Sequence, residues 1–149
     1  MKPTRTWILI CDAARARTFL NRGPGSGLEP IEGMSMETEH LRAREIGADK
    51  PGRSFESVGT ARHAISPRSD PERLEEQRFA ASLVSRLDKE AEHSNFDRLV
   101  LVAPPTMLGD LRAALTPRLA QRVAATLDKD LTKTPDHKLV QHLGDVLPV

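Results

Sequence analysis

The residues best placed for chemistry lie between Asp49 and Arg78. Arg53, Ser54, Ser57, Gly59, Thr60, Arg62, His63 and Arg68 crowd one Gly/Ser/Arg-rich stretch that runs into Asp70-Pro71-Glu72. Arginine dominates it, and the planar, permanently charged guanidinium suits bidentate recognition of phosphate or carboxylate. His63 beside Arg62 is the one histidine in a position to act as a general acid or base. Ser54 or Ser57 with His63 and Asp70 can be drawn as a nucleophilic triad. All would then come from one loop, and no Gly-x-Ser-x-Gly turn presents either serine.

A second group is Asp12, Asp128 and Asp130. Carboxylates gathered at strand ends hold magnesium in nucleases of the RNase H type. Lys129 separates two of the three, and Asp12 sits where an aspartate bonds its own turn. The simpler assignment is no metal. The other histidines, His40, His93, His137 and His142, form no His-x-x-x-His pair. Gly23-Pro24-Gly25-Ser26-Gly27 lacks the Lys-Ser/Thr and helix of a phosphate-binding P-loop, so it reads as a hairpin loop.

The elements that must position these residues follow from the punctuation. Trp7–Cys11 is an apolar strand, Asp12-Ala13-Ala14 turns the chain, and Arg15–Asn21 returns as its hairpin partner. Leu28–Met36 reads as a third strand weakened by Pro30. Residues 37–69 then form a long loop, a length that ordinarily means function or disorder. Asp70-Pro71-Glu72 opens a helix expected to reach about His93. Phe79, Ala80, Leu83, Val84, Leu87 and Ala91 share its buried face.

Arg98–Ala103 is a continuous apolar run, as a strand buried on both faces requires. Thr106 caps a short helix carrying Met107, Leu108, Leu111 and Leu115. Thr116-Pro117 repeats the cap-plus-proline signal before a strand at Val123–Leu127. Thr134-Pro135 starts the last helix, with Leu139, Val140, Leu143 and Leu147 inward. The order is βββ-loop-αβαβα, an α/β domain with a mixed sheet and helices packed on it.

Composition bounds the function. At 149 residues the chain is one domain, 1–149. Net charge is +1, so no global field points to nucleic acid. The local balance differs: between His40 and Arg68, Arg42, Arg44, Lys50, Arg53, Arg62 and Arg68 face only Glu45, Asp49 and Glu56. With Trp7, four Phe and no Tyr, the chain has too few aromatics for a base-stacking RNA reader. Cys11, the single cysteine, excludes an internal disulfide and a cysteine-built zinc site. The apolar run from Trp7 ends at Asp12, too short for a signal peptide core or a membrane span. A cytoplasmic protein without cofactor is expected.

Several blocks carry a resemblance. Trp7-Ile8-Leu9-Ile10-Cys11-Asp12-Ala13-Ala14-Arg15-Ala16-Arg17 resembles the opening of the bacterial host attachment protein family. Asp49-Lys-Pro-Gly-Arg-Ser-Phe, Ala61-Arg62-His63-Ala64, Phe96–Pro105 and Leu127-Asp128-Lys129-Asp130-Leu131-Thr132 follow in the family's order. That family is similar, more remotely, to the middle domain of archaeo-eukaryotic peptide-chain release factors. The resemblance implies an RNase H-like fold. It also places the long loop where release factors carry their Gly-Gly-Gln tip. Here the comparable residues are Val58-Gly59-Thr60, with one glycine kept and no glutamine.

The implied function is a non-catalytic module touching the ribosome or tRNA through Arg53, Ser54, Gly59, Thr60, Arg62, His63 and Arg68. The alternatives are a residual ester or peptidyl-tRNA hydrolase acting through the same loop, and an indirect role in attachment.

Overall fold

The computed structural model describes residues 4–38, 41, 70–147 and 149. Its elements, in chain order, are β1 (Thr6–Cys11), β2 (Arg15–Asn21), β3 (Glu29–Pro30), β4 (Met36–Glu37), α1 (Asp70–Glu92), β5 (Arg98–Val102), α2 (Pro105–Ala114), α3 (Pro117–Arg122), β6 (Val123–Leu127) and α4 (Asp136–Leu143). One sheet runs β3-β2-β1-β5-β6, with β4 also paired to β2. β1 and β2 form an antiparallel hairpin, in register from Thr6–Asn21 to Cys11–Ala16. β1, β5 and β6 are parallel, and a register shift between Leu99 and Val100 interrupts the β5–β6 pairing. The result is an α/β domain with an open mixed sheet, compatible with the RNase H-like expectation.

The alternation of side chains along a strand splits the core in two. Trp7, Leu9, Cys11, Leu99 and Leu101 face one side, where α1, α2 and α3 supply Phe79, Leu83, Leu87, Leu108, Leu111 and Leu119. Ile8, Ile10, Val100 and Val102 face the other, covered by Leu131 and by Leu139 and Leu143 of α4. Both faces of β1 and β5 are therefore dry, which is why their sequences are unbroken apolar runs.

Five expectations change. Leu28–Met36 does not form one strand. Pro30 has no amide to donate, and Gly33 turns the chain at φ +81°, so only the two-residue pieces β3 and β4 pair with β2. Glu37, placed in the long loop, is thus paired, and Leu41 within that loop is buried. Thr106 is not a cap: α2 begins at Pro105, and the N-cap position is Pro104, which makes no side-chain bond. Thr116 does cap, accepting from the Leu119 amide at 3.1 Å, and this makes α3 a separate helix that the expected order omitted. Val140 is 39% exposed, because α4 is short and turns only Leu139 and Leu143 fully inward.

Candidate binding cleft at the ends of the parallel strands

β1, β5 and β6 end on the same edge of the sheet. The chain leaves β1 toward β2 on one side, whereas β5 connects through α2 and α3 to β6 on the other. The crevice between the ends of β1 and β5 is therefore the point where the connections part, the place where open α/β sheets bind ligands. A cleft of about 440 Å³ opens there. The β1–β2 turn contributes Asp12–Arg15, α1 contributes Glu76, and the strand-to-helix corner contributes Pro104–Met107. Leu41 closes the ring.

Each wall has a local cause. Asp12 Oδ1 accepts the Ala14 and Arg15 amides at 2.8 and 2.9 Å, the self-bonded turn its sequence position suggested. Asp12 Oδ2 faces the Thr132 hydroxyl at 3.2 Å, and that hydroxyl also lies 2.6 Å from Asp130 Oδ1. Glu76 receives Arg73 Nη1 at 2.6 Å, and Arg73 reaches on to both oxygens of Asp110 at 2.9 and 3.0 Å. The two carboxylates of the cleft are thus engaged within the protein.

Arg15 is different. Among the described residues its only ionic contact is Nε to Asp12 Oδ2 at 3.7 Å, beyond hydrogen-bond reach. Nε itself is buried without a hydrogen-bond partner.

Asp128 lies elsewhere. It lines a smaller cavity of about 200 Å³ with Arg112 and Thr126. Asp12 and Asp130 meet at the Thr132 hydroxyl, but Asp128 does not join them, and among the described residues no group of three or more His, Cys, Asp or Glu is arranged to hold a metal ion. His93 and His137 are exposed and lie outside the cleft. Cys11, just behind Asp12, is fully buried; burial foremost, then the charges of Asp12 and Asp130, pushes its thiol up to about 12. Arg53, Ser54, Ser57, Gly59, Thr60, Arg62, His63 and Arg68 lie outside the described residues.

Sequence reasoning placed Asp12 at a strand end but missed Arg15, Glu76 and the Pro104–Met107 wall as partners. Glu76 carried a signal: four residues before Ala80 and three before Phe79, it sits on the buried face of α1, where an acid needs a partner.

The fold and the cleft define the class: an α/β domain with an open mixed sheet and a ligand-sized crevice at the carboxyl ends of its parallel strands. The sequence narrows this further. The family described as "Protein required for attachment to host cells" matches residues 7–143, and the chain belongs to that family. No curated protein matches it. No helix among the described residues is long and apolar enough to cross a membrane.

Proposed function

We propose that this protein is a non-catalytic, cytoplasmic binding module, related to the middle domain of release factors, that contacts transfer or ribosomal RNA through the basic stretch between Arg42 and Arg68. One observation carries the reading. The stretch leaves the described structure at Leu41 and returns at Asp70, and both Leu41 and Glu76, less than two turns into α1, line the cleft. In the sequence, six basic residues against three acids thus lie between Leu41, which lines the crevice, and α1, which contributes Glu76 to it. Guanidinium groups there neutralise backbone phosphates and displace their counterions.

The carboxylates of the cleft favour binding over hydrolysis, since Asp12 and Glu76 are held by internal partners rather than poised toward a water. Val58-Gly59-Thr60 in place of Gly-Gly-Gln argues the same way. An influence on attachment, the property the family's description names, would then be indirect, through translation.

Co-sedimentation with ribosomes and tRNA over a salt series tests this. The reading expects binding that weakens with salt, and a logarithmic salt slope reduced by about 2 in the Arg53→Ala/Arg62→Ala variant. Binding by the variant equal to that of the parent, or none at low salt, sinks it.

A further inference from the structure

The cleft at the β1–β5 edge has a recognition chemistry of its own. Its acids are occupied: Asp12 by the Ala14 and Arg15 amides, Glu76 by Arg73. Its arginine is not. Among the described residues Arg15 has no hydrogen-bond partner for its guanidinium, its Nε is buried, and its side chain is 36% exposed, so the remaining N–H groups have access to the cleft. A guanidinium offers five donors and no acceptor, so the unmet capacity calls for an anionic oxygen. Apart from the internally bonded Asp12 and Glu76 carboxylates and Thr106, the remaining walls are apolar: Ala13, Ala14, Leu41, Pro104, Pro105 and Met107. A volume of about 440 Å³ falls within the roughly 300–1,000 Å³ of small-molecule sites, and an apolar lining with a few convergent polar groups is their usual make-up.

We propose that this cleft binds a small organic anion, a flat apolar body carrying one phosphate or carboxylate, with the anion on Arg15 and the body between Met107 and the Pro104-Pro105 corner. The site uses no residue of the basic stretch and stands whether or not that stretch binds RNA.

Methionine-methyl NMR on the full chain reads the site directly, because the chain has four methionines and Met107 is the one in the cleft. Phenyl phosphate and benzoate are the probes; benzyl alcohol and inorganic phosphate are the controls. The expected result is a saturable shift of the Met107 methyl with one of the two anions, at least tenfold tighter than with either control. The stronger of the two identifies the anion. The Met34 methyl, buried in the main core, stays in place and reports an intact fold. Arg15→Gln weakens binding at least tenfold, and Ala14→Leu, which fills the cleft from an adjacent wall, abolishes it.

No Met107 shift with either anion overturns the proposal. So does benzyl alcohol binding as tightly as the anions, or Arg15→Gln binding as tightly as the parent. Should Met34 show that Arg15→Gln disturbs the fold, Ala14→Leu decides, and unchanged binding there is equally fatal.

Discussion

Arg73 and Asp110 meet through two parallel hydrogen bonds, Nη1 to Oδ2 at 3.0 Å and Nη2 to Oδ1 at 2.9 Å. The pair joins the first turns of α1 to the middle of α2. Glu76 completes the fork at 2.6 Å and at the same time forms a wall of the cleft. One guanidinium therefore fixes the spacing of two cleft walls, the one from α1 and the one from the start of α2. The hydrogen bonds to Asp110, then to Glu76, raise the already high pKa of Arg73, so its guanidinium stays charged at every accessible pH.

If this fork is one interaction rather than two neighbouring surface charges, its members must be coupled. Arg73→Ala and Asp110→Ala should each lower the melting temperature, and the double variant should lose clearly less than the sum of the two. Asp110 is 11% exposed, so Arg73→Ala leaves a nearly buried carboxylate with its main partner gone. Strict additivity in a double-mutant cycle would reduce the fork to two independent side chains.

The two-sided core gives a sharper stability contrast. Leu101 is fully buried in β5, against the face covered by α1 and α2. Leu101→Ala should cost about 2–5 kcal/mol in urea unfolding, the lost transfer energy plus the cavity. Val140→Ala on α4, where 39% exposure replaces the burial its sequence suggested, should stay within about 0.5 kcal/mol. Similar losses at the two sites would mean that α4 packs differently from the arrangement described.

How far the sequence reached depended on which force decided each element. β1, β5 and the buried face of α1 were legible residue by residue, because burial on one or both faces writes itself directly into period and run length. The Thr116-Pro117 start was legible as local chemistry, since a hydroxyl and a fixed φ act within one turn. Thr106 misled for the same reason: the Pro104-Pro105 pair before it had already begun the helix. The cleft was not legible. Arg15, Glu76 and Met107 are far apart in the chain and meet only through β1–β5 pairing and α1–α2 packing. No local pattern encodes a meeting of that kind.

Two aspartates should contribute to the acid limit of the fold. Asp88 is bonded by the Arg118 guanidinium and the Thr116 hydroxyl, and Asp97 by the Arg5 amide and then the Arg5 side chain; these bonds hold both carboxyls below the usual range. A group that binds its proton less tightly folded than unfolded stabilises the fold while ionised. That contribution is complete above the unfolded value, about 3.9 for aspartate, and is lost as pH falls through the lower folded value. The melting temperature should therefore hold from neutrality to about pH 5 and fall below about pH 4. Asp88→Asn and Asp97→Asn should each start lower at neutral pH and show a shallower acid decline. An acid limb of unchanged steepness in the double Asn variant would assign it to other carboxyls.

Cys11 makes the opening of the sheet measurable. It has no exposed surface, and burial foremost, with the charges of Asp12 and Asp130, pushes its thiol up to about 12. At pH 8 the thiolate, the only reactive form, is then roughly one part in 10,000, and no reagent can reach it. Native protein should leave a thiol reagent such as 5,5′-dithiobis(2-nitrobenzoate) unconsumed, while denatured protein takes up one equivalent, since the chain has one cysteine. Labelling must wait for β1 to separate from β2 and β5. Its rate under native conditions should then rise in Leu101→Ala by about tenfold for each 1.4 kcal/mol of lost stability. A rate that is fast in the parent, or unchanged in Leu101→Ala, would mean that the Cys11 end of β1 opens on its own, and the floor beneath the cleft with it.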